Sequence, residues 1–265
     1  MQSASTIVVE VGGVPVALHT TEPSLRELLE ARFRRFVNPA ATPVFDFDIT
    51  VVAGDGVDAD ADLHVCAEEG QWRLQRGDFF AEWDPSARRG WIRQTVNPYS
   101  VDSVLRIVHT LLLSAERGFL LHASSAMRNG RAFLFTGPSG AGKTTVVRLA
   151  PKDVIVLTDE ISYVRHTPDG YVAFGTPFSG EWADIGEPIS APVAALFRLE
   201  AALDNSADPL DEASAVRTLM RNILFFAEDR ALTERVLATA CDFAASVPAF
   251  RLAFAPDARV WNLIQ

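Results

Sequence analysis

The segment 131-RAFLFTGPSGAGKTTVVRLAPKDVIVLTDE-160 decides how the rest of the chain is read. A short apolar run ends at Phe135. It leads into a loop with glycines at 137, 140 and 142, and the loop opens directly into Lys143-Thr144-Thr145 and a helix-forming stretch. The spacing Gly137-x-x-x-x-Gly142-Lys143-Thr144 is a complete phosphate-binding motif, and it stands between a strand and a helix as its mechanism requires. Glycines let the backbone turn tightly enough for successive N–H groups to converge on phosphate oxygens. The start of the next helix adds partial positive charge. Gly137, Pro138, Ser139, Gly140, Ala141, Gly142, Lys143, Thr144 and Thr145 are therefore expected to bind the phosphates of a nucleotide. Lys143 reaches the outer phosphates, Thr144 ligates Mg²⁺, and Thr145 supports them.

An acid pair follows closely. The β-branched run 154-VIVLT-158 delivers Asp159-Glu160, where one acid can hold Mg²⁺ and the other can take a proton from an attacking hydroxyl. Thr144, Asp159 and Glu160 form the expected metal set. On the other side of the loop, 119-FLLHASSAM-127 and 131-RAFLF-135 are strand-like runs joined by Arg128-Asn129-Gly130. Asn-Gly between two such runs is the strongest short-range hairpin signal. An antiparallel hairpin feeding the loop does not suit the all-parallel sheets built from βαβ units. Guanine-specificity and transporter signatures are absent from the sequence. GTPases, motors and transport ATPases are thereby disfavoured.

The N-terminal 100 residues read as a mostly β domain. Residues 6–19 form two strands about a Gly-Gly turn, and Thr21-Glu-Pro-Ser opens a helix through about Phe36. In 44–52, Phe45, Phe47, Ile49 and Val51 alternate with Asp46, Asp48 and Thr50. Further strands are expected at 63–68, 71–76, 78–83 and 90–95, then a helix capped by Ser100 and ended by Gly118. The acidic run 58-DADADLHVCAEE-69 has the acids of a calcium loop, but Leu63 stands where the turn requires glycine, so a solvated loop is expected.

Composition narrows the class. The 265 residues carry 24 Lys+Arg against 34 Asp+Glu, a net charge of −10, and no basic run, which argues against a nucleic-acid surface. Cys66 and Cys241 stand far apart and suit reduced thiols in the cytoplasm. No uninterrupted apolar stretch is long enough for a membrane helix, and MQSASTIVVE has no secretory character.

From 119 to 265 the chain resembles the HPr kinase/phosphorylase family, whose core is shared with ATP-dependent phosphoenolpyruvate carboxykinases. The resemblance is carried by 121-LHASSAMRNGRAFLFTGPSGAGKTTVVRLAPKDVIVLTDEISYV-164, 174-FGTPFSGEW-182, 192-PVAALFRLE-200 and 249-AFRLAFAPDARVWNLI-264. It implies an α/β fold of α+β type, a mixed-sheet P-loop kinase core over 101–265. The flanking β domain, 1–100, is free to recognise a substrate or partner. His122 matches the histidine near the γ-phosphate, so His122, Lys143, Asp159 and Glu160 are the expected catalytic residues. Glu160 stands where the bifunctional enzymes have a second Asp, and their long glycine-containing signature is missing, so phosphorolysis is not expected.

The expected activity is transfer of the ATP γ-phosphate to a hydroxyl. The acceptor is a Ser or Thr of a peptide or protein, or a small hydroxylated metabolite. A nucleotide-binding module without turnover and a carboxykinase-like reaction are the alternatives. Glu181 could contact substrate, whereas Arg217 and Arg221 read as a solvated helix face beside the stripe Val216, Met220, Ile223 and Leu224. No heptad pattern specifies an oligomer, and a homo-oligomer is allowed.

Overall fold

Alternation of apolar and polar residues builds the first sheet. Phe45, Phe47 and Ile49 are buried while Asp48 and Thr50 on the other face are exposed. The computed structural model describes residues 5–54, 61–178, 186–227 and 229–264. The chain forms two compact units, Met1–Val108 with Phe226–Asp229, and His109–Phe225 with Arg230–Gln265.

In the first unit the strands are β1 (Ser5–Val11), β2 (Val14–Thr20), β3 (Phe45–Val51), β4 (His64–Glu68), β5 (Gln71–Arg76), β6 (Phe79–Asp84) and β7 (Arg89–Gln94). They pair in the order β1-β2-β3-β7-β6-β5-β4. The expected meander is broken twice, because β2–β3 and β3–β7 are parallel. Parallel neighbours need a crossover, and α1 (Pro23–Arg32) supplies the one between β2 and β3.

Helix α1 buries Leu25 and Leu29 and stops at Arg32, short of the expected Phe36. Phe33 and Phe36 are still buried, but in turns beyond the helix, and the Phe36 carbonyl accepts a hydrogen bond from Glu10 N at 2.9 Å. Pairing along the edge of β1 thus overrides the helical stripe. The helix is capped by Glu22, within the stretch expected to open it.

Helix α2 (Pro98–Ala115) begins before Ser100. Ser100 does not cap it: its hydroxyl is buried and donates to Asp78 Oδ2 at 2.7 Å. Arg117, at φ 55°, makes the left-handed turn expected of Gly118. Gly118 is required for another reason, since a Cβ there would lie 2.6 Å from both Leu113 Cδ2 and the Val164 carbonyl.

The second unit is organised by two long strands. β8 (Gly118–Arg128) turns through Asn129 and Gly130, both at positive φ (53° and 73°), into β9 (Arg131–Thr136). That is the two-residue hairpin the sequence signals. The first half of β8 pairs with β11 (Ile161–Thr167) and the second half with β10 (Val154–Thr158), both antiparallel. β11 continues to β12 (Gly170–Phe174), which pairs with the start of β13 (Ser190–Ala201). β13 then runs parallel to β9 and to β15 (Ala249–Phe254), with β14 (Ser206–Pro209) outside β15.

The result is a mixed α/β unit, and among the described residues both sheets mix parallel and antiparallel pairs. Alternate residues of β9 serve two cores. Ala132 and Leu134 pack with Ala215 and Leu219 of α4 (Glu212–Asn222) and Ala240 and Phe243 of α5 (Arg230–Ser246). Phe133 and Phe135 pack with Val146 and Val147 of α3 (Lys143–Arg148) and Trp261 of a terminal 3₁₀ turn. Among the described residues no helix is long and apolar enough to cross a membrane.

One buried group gives the fold a pH dependence. His109 on α2 is fully buried, edge-on to Tyr163 (5.6 Å) and Phe178 (6.3 Å), and burial lowers its pKa from 6.5 to about 4. Between those values the unfolded chain binds a proton that the folded chain refuses. Stability from this residue is therefore complete above about pH 6.5 and is lost as pH falls towards 4, by on the order of 3 kcal/mol. Urea unfolding at pH 7 and pH 4.5 checks this, with His109→Phe expected to flatten most of the difference.

Candidate active site

Each wall of the site begins with a local backbone requirement. The loop 137–142 needs left-handed residues at Gly140 (φ 78°) and Gly142 (φ 98°). Gly142 is also a close approach: a Cβ there would lie 2.8 Å from the Phe254 ring. Helix α3 is held from two sides. The buried Ser124 hydroxyl donates to the Lys143 carbonyl at 2.8 Å, and Trp261 Nε1 donates to the Val146 carbonyl at 2.9 Å. With only six residues, α3 offers its free N–H groups more than a long macrodipole. Lys143 folds back over the loop, its ammonium donating to the carbonyls of Gly137 (3.0 Å) and Pro138 (3.2 Å). Burial pulls its pKa below the ordinary lysine value, and the charge of Glu160 opposes that shift.

The opposite wall is a break in a β-ladder. β10 and β11 follow one another along the same strand, β8, and the register shifts between Val156 and Thr158. Consecutive residues of a regular strand point to opposite faces. The break lets Asp159 and Glu160, which are neighbours in sequence, both line the cleft.

Two hydroxyls brace it. Thr158 Oγ1 accepts from the N–H groups of Glu160 and Ile161 (3.4 Å each), while Thr176 Oγ1 donates to the Ile161 carbonyl at 2.8 Å and lies 3.2 Å from Thr158 Oγ1. Behind them the chain is close-packed: a Cβ on Gly175 would lie 1.8 Å from the Glu187 carbonyl oxygen, and one on Gly186 1.7 Å from that of Leu157. His122 lies opposite Ile161 on β8, and its carbonyl accepts from Thr136 Oγ1 at 2.9 Å.

His122, Ser139, Gly140, Gly142, Lys143, Thr144, Thr145, Asp159 and Glu160 line a single cleft of about 480 Å³, together with Arg148. That volume falls within the range of small-ligand sites. Gly137, Pro138 and Ala141 do not line it, although the first two hold Lys143. Asp159 is 3% exposed and Glu160 half-buried. Among the described residues no group of three or more His, Cys, Asp or Glu could hold a metal. Mg²⁺ needs no such group, because it keeps several waters and is bound by one or two carboxylates plus substrate phosphates. Thr144, Asp159 and Glu160 offer that donor set in one cleft.

Other expectations fall away from the cleft. Arg217 and Arg221 are exposed on α4, and Arg217 bonds Ser214. The buried positions of α4 are Ala215, Thr218 and Leu219, with Met220 and Ile223 of the expected stripe packed against the same core. Asp58, Asp60 and Glu181 lie outside the described residues. Sequence reasoning missed Arg148, which its spacing of four from Thr144 could have signalled. It also missed Thr158 and Thr176, whose roles depend on contacts distant in sequence.

With this geometry in place, comparison with known proteins is informative at one level. Residues 92–265 match the family model described as SynChlorMet cassette protein ScmC. The chain belongs to this ScmC family. The matched stretch contains every residue of the cleft. No curated protein matches the chain. Among solved structures, the Hpr(Ser) kinase/phosphatase from Coxiella burnetii is similar at 11% identity, over 48% of this chain and 90% of that one, with a TM-score of 0.24. A score of that size does not establish a common fold.

The bracing of the acid pair can be measured. Thr176→Val removes the donor to the Ile161 carbonyl and leaves that buried acceptor unmet, so a loss of about 1–3 kcal/mol is expected in urea unfolding.

Proposed function

We propose that this chain is an ATP- and Mg²⁺-dependent kinase with a mixed-sheet P-loop core, transferring the γ-phosphate to an alcohol group. The observation that carries the reading is the convergence of the loop residues Lys143 and Thr144, the acids Asp159 and Glu160, and His122 on one cleft. Phosphoryl transfer asks little covalent chemistry of a protein. It asks for positioning and for charge placed where the transition state needs it.

In this reading the N–H groups of 137–145 and Lys143 bind the donor's phosphates. Thr144 and the deeper acid, Asp159, hold Mg²⁺, which when bound neutralises phosphate charge. Glu160, the more open acid, accepts the proton of the incoming hydroxyl, with His122 beside it as a second base. The Oβ–Pγ bond breaks with its electron pair left on ADP, the acceptor oxygen bonds to phosphorus, and the proton passes to Glu160.

The acceptor is a Ser or Thr of a peptide or protein, or a small hydroxylated metabolite, and residues 1–100 serve its recognition. The acidic net charge continues to disfavour nucleic acid.

The test is a γ-phosphate transfer assay in Mg²⁺ with pooled Ser/Thr peptides and hydroxylated metabolites, following ADP formation. Acceptor-stimulated turnover is expected. It should fall by about a hundredfold or more in Lys143→Ala and in Asp159→Ala, with circular dichroism unchanged. Turnover that survives Lys143→Ala would overturn the reading. Tight ATP binding without turnover on any acceptor would make the chain a nucleotide-binding module instead.

A further inference from the structure

We infer that Arg148, a residue outside the phosphate-binding motif, is a catalytic cation of the cleft whose guanidinium meets the phosphoryl group as it is transferred. The inference rests on the phosphoryl-transfer reading above and adds a residue to it. Arg148 ends α3 and lines the same cleft as Thr144, Asp159, Glu160 and His122. Thr144 and Arg148 are four apart on one helix, so they share a face with Cβ atoms roughly 5–6 Å apart. Long helical side chains lean towards the helix N-terminus and cover the turn before their own Cα. That lean directs the guanidinium back towards Thr144 and Thr145, which in the proposed reading hold the phosphates and metal.

Charge balance gives it a task. Two carboxylates line the cleft, and a triphosphate brings more negative charge than Lys143 and one divalent ion cancel. Lys143 is already buried against the carbonyls of Gly137 and Pro138. Arg148 is exposed and lines the same cleft. Its planar fork suits two equatorial oxygens of a phosphoryl group. In the transfer step described above, negative charge spreads over those oxygens as the Oβ–Pγ bond lengthens, and an arginine placed there lowers the barrier. The bland alternative is that Arg148 only places a positive charge at the C-terminal end of α3. A lysine would do that equally well.

The experiment needs no knowledge of the acceptor. Binding of Mg·ADP is measured by calorimetry with and without aluminium fluoride, which mimics the transferring phosphoryl group, for wild type, Arg148→Gln and Arg148→Lys. Wild type is expected to bind Mg·ADP and to bind it more tightly with fluoride. Arg148→Gln is expected to keep Mg·ADP affinity within about threefold while losing about thirtyfold or more of the tightening, as for an arginine acting on the transition state. Arg148→Lys is expected to recover only part of it, because a point charge lacks the fork.

Equal tightening in wild type and both variants would overturn the role. So would full recovery by lysine, or a parallel loss of Mg·ADP affinity, which would mark a ground-state anchor. A wild-type chain that binds Mg·ADP without tightening would overturn the phosphoryl-transfer reading itself, and one that binds no Mg·ADP would remove nucleotide binding as well.

Discussion

Backbone pairing along β8 fixes three groups at once. Its own residue His122 stands near the middle of the strand, its hairpin partner β9 ends in the glycine loop, and β10 and β11 bring Asp159 and Glu160 to its other edge. A ladder of hydrogen bonds between strands sets such spacings far more rigidly than side-chain contacts can, because each step is fixed by peptide geometry. The cleft is therefore a by-product of one strand having the right neighbours. Ser124 and Thr136, on β8 and β9, tie the loop's helix and His122 into the same framework.

What was legible in the sequence was local. The Asn129-Gly130 hairpin, the loop glycines and the alternation of β3 each follow from the chemistry of a few adjacent residues, and each stands where the sequence puts it. The misjudged boundaries share another cause. α1 carries an apolar stripe to Phe36, but pairing with β1 takes the chain away after Arg32. Ser100 has the chemistry of a cap and is instead used as a donor to Asp78, 22 residues earlier. The parallel joins of β3 to β2 and β7 connect strands that no short-range signal relates.

The candidate site divides along the same line. Lys143, Thr144, Asp159 and Glu160 are readable because a loop and a strand end announce them, and they line one cleft. Thr176 is invisible in advance, since its value lies in reaching Thr158 and Ile161 across the sheet. Gly175 and Gly186 are similar. Neither makes a recognisable turn, and both are glycine because another segment's carbonyl occupies the space of a side chain.

The break between β10 and β11 also limits how this segment can change length. Side chains on a strand alternate with a period of two, so a shift of one residue sends each to the other face. Neither β10 nor β11 can absorb a single insertion or deletion without turning its own side chains to the other face, so such a change falls on the bend that carries Asp159 and Glu160. The length of this joint is therefore as tightly bound as the identity of its two acids.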